Sequence, residues 1–169
     1  DWIAIARQIA SVYAAHDGFV ILHGTDTMAF TASALSFLFA GLSKPIVVTG
    51  SQLPLSFALN DALANLTGAL VLAGTSRIPE ATLYFDFQLF RSNRAAKVNA
   101  NQVAAFASPN FPALATVGTE VTVQSSLVLP PPALAISLDV PANLEALQGS
   151  LAELAKAVAR FSVVALVLY

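Results

Sequence analysis

In Gly24-Thr25-Asp26-Thr27 a hydroxyl and a carboxylate stand side by side, one residue after the apolar run Phe19-Val20-Ile21-Leu22 and directly before a helical pattern. If that run is a buried strand, Thr25 and Asp26 fall at its carboxyl end, where open α/β sheets hold their ligands, beside the partial positive charge of a helix N-terminus. Polar chemistry on a bound small molecule is the functional reading. Helix capping by Thr25, Asp26 or Thr27 is the plain one. Two bases are candidates to join them. His23 precedes the motif, although a histidine at a strand end is commonly a satisfied structural residue. Lys97 lies in Arg91-Ser92-Asn93-Arg94-Ala95-Ala96-Lys97-Val98, the most basic stretch of a charge-poor chain, and such a stretch also suits a solvated loop. Asp61 reads as the N-cap of a following helix. Asn65-Leu66-Thr67 fits the glycosylation pattern but falls inside that helix, and it is set aside.

The elements that must position these residues follow from the periodicity. In residues 1–15, Trp2, Ile5, Ile9, Val12 and Tyr13 recur at spacings of three and four, the period of an amphipathic helix that Asp1 could cap. After the strand at residues 19–22, a second helix is expected to turn Phe30, Leu35, Leu38 and Phe39 inward. The unit then recurs in kind. Ile46-Val47-Val48 reads as strand, Thr49-Gly50-Ser51-Gln52 as a polar turn, residues 61–72 as helix and Thr82-Leu83-Tyr84-Phe85 as strand. Short buried strands alternating with helices predict an α/β fold with a parallel sheet built from right-handed crossovers. Beyond Lys97 regularity weakens. Ser108-Pro109-Asn110-Phe111-Pro112 reads as an ordered loop, and Pro130-Pro131-Pro132 as a linker, since proline continues neither a helix nor a central strand. Residues 134–138, 143–159 and 163–168 read as strand, helix and strand. The expected organisation is therefore an N-terminal domain over residues 1–123, a linker over 124–132 and the start of a smaller α/β domain over 133–169.

Composition sets the outer limits. Of 169 residues, 56% are apolar and 11% charged, a proportion that predicts surfaces covered by further segments or subunits. No apolar stretch reaches the ~18 residues of a membrane span. A net charge of -2 recommends neither nucleic acid nor an anionic membrane as partner, and the absence of cysteine excludes disulfides and thiol catalysis. No signal peptide opens the chain, which begins at Asp1 in a helix-like pattern and reads as a fragment or a processed product.

Five ordered segments carry a resemblance to a known family: Gly18-Phe19-Val20-Ile21-Leu22-His23-Gly24-Thr25-Asp26-Thr27-Met28; Lys44-Pro45-Ile46-Val47-Val48-Thr49-Gly50-Ser51-Gln52-Leu53-Pro54-Leu55; Asp61 with Asn65-Leu66; Leu89-Phe90-Arg91-Ser92-Asn93-Arg94-Ala95-Ala96-Lys97; and Ala105-Phe106-Ala107-Ser108-Pro109-Asn110. The series resembles the asparaginase/glutaminase family, in its cytoplasmic type I branch, over most of residues 1–123. The resemblance implies a three-layer α/β N-terminal domain and a smaller C-terminal α/β domain, a homodimer or homotetramer, a cytoplasmic location and no cofactor. It also implies hydrolysis of L-asparagine, with L-glutamine as the open alternative, to the amino acid and ammonia through an acyl-enzyme on a threonine. Thr25 matches the family's second catalytic threonine, Lys97 the lysine that polarises it, and Asp26 the carboxylate that pairs with the lysine and holds the substrate's α-ammonium. Gly24, Thr25 and Asp26 match its substrate-binding turn. A threonine hydroxyl needs a neighbour to take its proton, and a buried lysine needs a partner, so the set is chemically coherent.

The departures are as specific. The family's nucleophile lies in a Thr-Gly-Gly-Thr-Ile type segment that occurs nowhere in residues 1–169, and the substrate-binding serine of the next segment is missing too. Thr49-Gly50-Ser51 is only superficially similar to it, and Ala62 stands where many members have glycine. The expectation is an asparaginase portion inactive by itself and poorly soluble, with a central sheet edge left open. The alternative is a degenerate asparaginase-like binding domain without catalysis. A nucleotide-binding α/β domain lacks its glycine motifs here and falls behind both.

Overall fold

The computed structural model describes residues 2–132 and the strand Leu166–Leu168. The expected cap Asp1, the elements expected at 134–138 and 143–159, and most of the second domain expected at 133–169 lie outside the described residues.

Helix α1 (Trp2–Val12) ends in a 3-10 turn, Tyr13–Ala15, and buries Ile5, Ala6 and Ile9. Strand β1 (Phe19–Leu22) leads through His23 and Gly24 into α2 (Thr25–Leu38). Strand β2 (Ile46–Thr49), α3 (Ala62–Thr75) and β3 (Ala81–Phe85) repeat the unit. β1, β2 and β3 are parallel and in register, with Val20 beside Val47 and Val47 beside Thr82. Their carboxyl ends therefore lie on one edge of the sheet.

The sheet is mixed beyond these three. β3 turns through Asp86 and Phe87 into β4 (Gln88–Arg91), and β7 (Ala115–Val117) and β8 (Val121–Val123) continue it in antiparallel fashion. On the other side β9 (Leu166–Leu168) pairs antiparallel with β1, giving the order β8-β7-β4-β3-β2-β1-β9. The edge of β1 that was expected to be open is thus paired along Val20–Leu22. A short separate ladder joins β5 (Ala96–Lys97) to β6 (Phe106–Ala107).

Helices cover both faces, making three layers. α1 and α2 pack on the face carrying Phe19, Ile21, Ile46, Val48, Leu83 and Phe85, and α3 packs on the face carrying Val20, Val47 and Tyr84. Strands covered on both sides must be apolar on both sides, which is why they read as continuous runs without alternation. Each fully buried side chain such as Ile21, Val48 or Leu83 contributes about 1.5–3 kcal/mol. α3 approaches the sheet at Gly68, where an added Cβ would come within 2.2 Å of the Tyr84 hydroxyl.

Two expectations are corrected. α2 buries Met28, Thr31, Ala32, Leu35 and Leu38, and Phe39 is also buried, but Phe30 is 57% exposed. Phe30 sits two residues from Met28 and so on another side of a helix of 3.6-residue period. Thr27 does not cap α2: the helix starts at Thr25, Gly24 holds the cap position without a side-chain bond, and Thr27 is buried.

Candidate active site

Gly24, extended at φ -65° and ψ 143°, separates β1 from α2 and leaves Thr25 and Asp26 as the first two helical residues, at the carboxyl edge of the sheet. Lys97 arrives there from β5, which packs beside α2. Its Nζ donates to Thr25 Oγ1 at 2.8 Å and to Asp26 Oδ1 at 2.7 Å. The structure therefore brings Gly24, Thr25, Asp26 and Lys97 together across 71 residues of sequence. Thr25 in turn donates to Gln52 Oε1 at 2.9 Å, so its hydrogen points at Gln52 and a lone pair at the amine.

The burial of the pair is lopsided. The Lys97 side chain is 17% exposed and that of Asp26 is 91% exposed. The hydrogen bond from Lys97, and then its charge, hold the Asp26 carboxyl below the usual range, so it is an anion at neutral pH. One carboxylate oxygen serves Lys97, and the exposed side chain keeps acceptor capacity for an ammonium from solution. Beside it lies a cleft of about 660 Å3 lined by Asp26, Ala29, Phe30, Ser33, Lys97 and Asn99.

Gln52 is the residue whose part the sequence reading left unassigned. Its amide donates to the Ala100 and Gln102 carbonyls, tying Thr25 to the loop that follows Lys97. The only signal for it was a polar turn after β2, at the edge where Thr25 sits. Asp61 holds that turn from behind. Its carboxylate accepts from the Gln52 and Leu53 N–H groups, and the expected capping of α3 is done by Asn60, whose Oδ1 faces the Ala62 and Leu63 N–H groups. Asp61 itself has helical dihedrals (φ -94°, ψ -6°) and makes no cap bond. Asn65, buried in α3, donates to Asp61 and to the Gly50 carbonyl and accepts from Asp86 N–H, so one amide ties the turns after β2 and β3 together. Gly50 allows β1 and β2 to close up, since a Cβ there would lie 2.1 Å from the His23 carbonyl oxygen.

His23 is buried and bonds neither Thr25 nor Asp26 through its side chain. Its ring lies between Thr31 Oγ1 at 2.9 Å and the Gly24 carbonyl at 2.7 Å. Burial, partly offset by the bond to Gly24, pushes its pKa down, so the ring is neutral at pH 7. Among the described residues no three His, Cys, Asp or Glu side chains gather as a metal site, and no helix is long and apolar enough to cross a membrane.

Fold and site define a three-layer α/β protein with a hydroxyl, a carboxylate and an amine converging where its parallel strands end. The chain belongs to the asparaginase family: residues 1–129 match the family's Asparaginase, N-terminal, domain. It is 53% identical over 128 residues to the mouse 60 kDa lysophospholipase, covering 76% of this chain and 23% of that protein. It is 51% identical over 121 residues to Escherichia coli K12 L-asparaginase 1, covering 72% of this chain and 36% of that one. Among solved structures, L-asparaginase I from Vibrio cholerae superposes with a TM-score of 0.74 at 48% identity, covering 79% of this chain and 40% of that chain. The chain thus spans well under half the length of these relatives.

Proposed function

We propose that this chain supplies half of the active site of a type I L-asparaginase, which hydrolyses L-asparagine to L-aspartate and ammonia. One observation carries the reading: Lys97 Nζ reaches both Thr25 Oγ1 and Asp26 Oδ1. Asp26 binds the α-ammonium of the amino acid, and Gly24 lets the substrate approach the backbone. Thr25, with its hydrogen directed to Gln52, presents its oxygen to the Lys97 amine. Held between Gln52 and the Lys97 amine, the Thr25 hydroxyl positions the water that resolves an acyl-enzyme, and it is activated when its hydrogen turns from Gln52 to a neutral Lys97, which takes the proton. The ester-forming threonine comes from a Thr-Gly-Gly-Thr-Ile type segment outside residues 1–169 and attacks the side-chain amide, releasing ammonia.

The proposal includes a homodimer or homotetramer in the cytoplasm, and exposed Phe37, Leu55, Phe57, Leu59 and Leu63 are apolar surface that a subunit or a further segment of the chain would cover. Assaying ammonia release from L-asparagine by the protein of the complete reading frame tests the function. Turnover that disappears in Thr25→Val supports it. A full-length product carrying the upstream threonine segment and showing no amidase activity contradicts it and leaves the degenerate binding domain.

The identity with the mouse lysophospholipase favours a second reading, cleavage of a lysophospholipid ester by the same acyl-transfer chemistry. Fatty acid release from lysophosphatidylcholine, with L-asparagine left intact, is the outcome that would select it.

A further inference from the structure

A chain of hydrogen bonds that the proposed chemistry does not use ends beside the site. Trp2 Nε1 donates to Thr31 Oγ1 at 2.9 Å, Thr31 Oγ1 lies 2.9 Å from His23 Nε2, and His23 Nδ1 lies 2.7 Å from the Gly24 carbonyl oxygen. His23 and Thr31 are 6% and 0% exposed. The chemistry of the two ends fixes the direction. An indole N–H only donates and a carbonyl only accepts, so His23 carries its proton on Nδ1, and Thr31 passes its own hydrogen to Nε2. A second proton on the ring would aim another N–H at Thr31 and strand the hydroxyl hydrogen in a buried place, which is costly. The chain is therefore built for a neutral imidazole, the form that burial also favours.

The carbonyl at its end belongs to the residue between β1 and Thr25. Gly24 is the N-cap of α2 and has no side-chain cap, so its carbonyl oxygen accepts the first intrahelical N–H, and the His23 Nδ1–H adds a second bond to the same oxygen. We propose that His23 is a positioning residue: backed by Thr31 and Trp2, it pins the Gly24 carbonyl and so sets the Thr25 hydroxyl and Asp26 carboxylate against Lys97. The inference rests on the amide-hydrolysis reading for its kinetic consequence and is independent of it for its spectroscopic one.

The charges around the ring come from several elements. α2 presents Asp26, already bonded to Lys97 of β5. α1 carries Arg7, which is exposed. β1 (Phe19–Leu22) and β2 (Ile46–Thr49) carry no titratable side chain.

Two measurements test the proposal. In the protein of the complete reading frame, His23→Phe should lower kcat for L-asparagine about 100-fold, the order of loss expected from a 1 Å misplacement. His23→Asn, whose amide can donate to Gly24 from the Nδ1 position, should restore most of that loss. Equal losses in the two variants would overturn the assignment. In the same protein, the part of the emission that Trp2→Phe removes reports the far end of the bonds without any substrate. That emission should titrate with a midpoint below the ordinary imidazole value and become flat in His23→Asn. A flat Trp2 contribution in the parent protein overturns the proposal even where His23→Phe fails to fold. A titrating parent without amidase activity supports the hydrogen-bond chain and removes the amide reading alone.

Discussion

Two carboxylate–cation pairs in this protein use the same chemistry to opposite ends. Glu80, just before β3, meets Arg91 at the end of β4 with two bonds, Nε to Oε2 at 2.5 Å and Nη2 to Oε1 at 3.0 Å. Glu80 is 3% exposed and also accepts from Leu129 N–H, while Arg91 donates to the Leu127 carbonyl and lies over the Phe111 ring. That pair is closed, and it fastens residues 127–129 to the sheet. Asp26 and Lys97 share one bond, leave the carboxylate in solvent and spend the remaining capacity of the amine on a hydroxyl. An ion pair that satisfies all its partners holds a fold, whereas one that leaves an acceptor exposed and a donor on threonine is available to a substrate.

The contrast can be broken by substitution. Lys97→Met should lower kcat/KM for L-asparagine by about 10²- to 10⁴-fold, the range of a positioned acid–base group. Its melting temperature should stay near that of the parent, because the partner carboxylate is already solvated. Glu80→Ala should do the reverse, costing about 3–5 kcal/mol in denaturant unfolding because it strands a buried guanidinium. If Lys97→Met unfolds the protein while Glu80→Ala leaves stability unchanged, the division of roles is wrong.

Smaller effects sharpen the same picture. Gly50→Ala, which drives a methyl into the His23 carbonyl, should cost about 1–3 kcal/mol in thermal or denaturant unfolding and lower activity with it. The pH response of the open pair has a definite sign. Since Lys97 depresses the Asp26 pKa in the folded protein, the stability it adds is present in full above the ordinary aspartate value of 3.8 and is lost as pH falls through the depressed one. A carboxyl 13C titration should place the Asp26 midpoint below 3.8, and Lys97→Met should move it back up.

The sequence exposed some of this more readily than the rest. β1, β2 and β3 were legible because strands covered on both faces are uninterrupted apolar runs, and Thr25 and Asp26 were legible because they come in the short turn after such a run. β4 was hidden. Its hairpin turns on Asp86 and Phe87, both with positive φ (46° and 61°), without the glycine or asparagine that usually announces such a turn. Short β7 and β8 gave too few residues for a period to show. Lys97 needed the family resemblance, since nothing local tells an amine that reaches a threonine 72 residues away from one on a solvated loop. Gln52 acts through bonds to the Thr25 hydroxyl and to backbone carbonyls 48 and 50 residues on, and Asp61 through bonds to N–H groups of the preceding turn, which no spacing rule encodes.

The coupling between Thr25 and Lys97 can be measured directly with a double-mutant cycle on kcat/KM for L-asparagine, using Thr25→Val, Lys97→Met and the pair in the protein of the complete reading frame. Residues acting as one unit should give a double variant no slower than the slower single variant. Losses that multiply would show two independent groups, and the shared amine–hydroxyl contact would then have no part in the reaction.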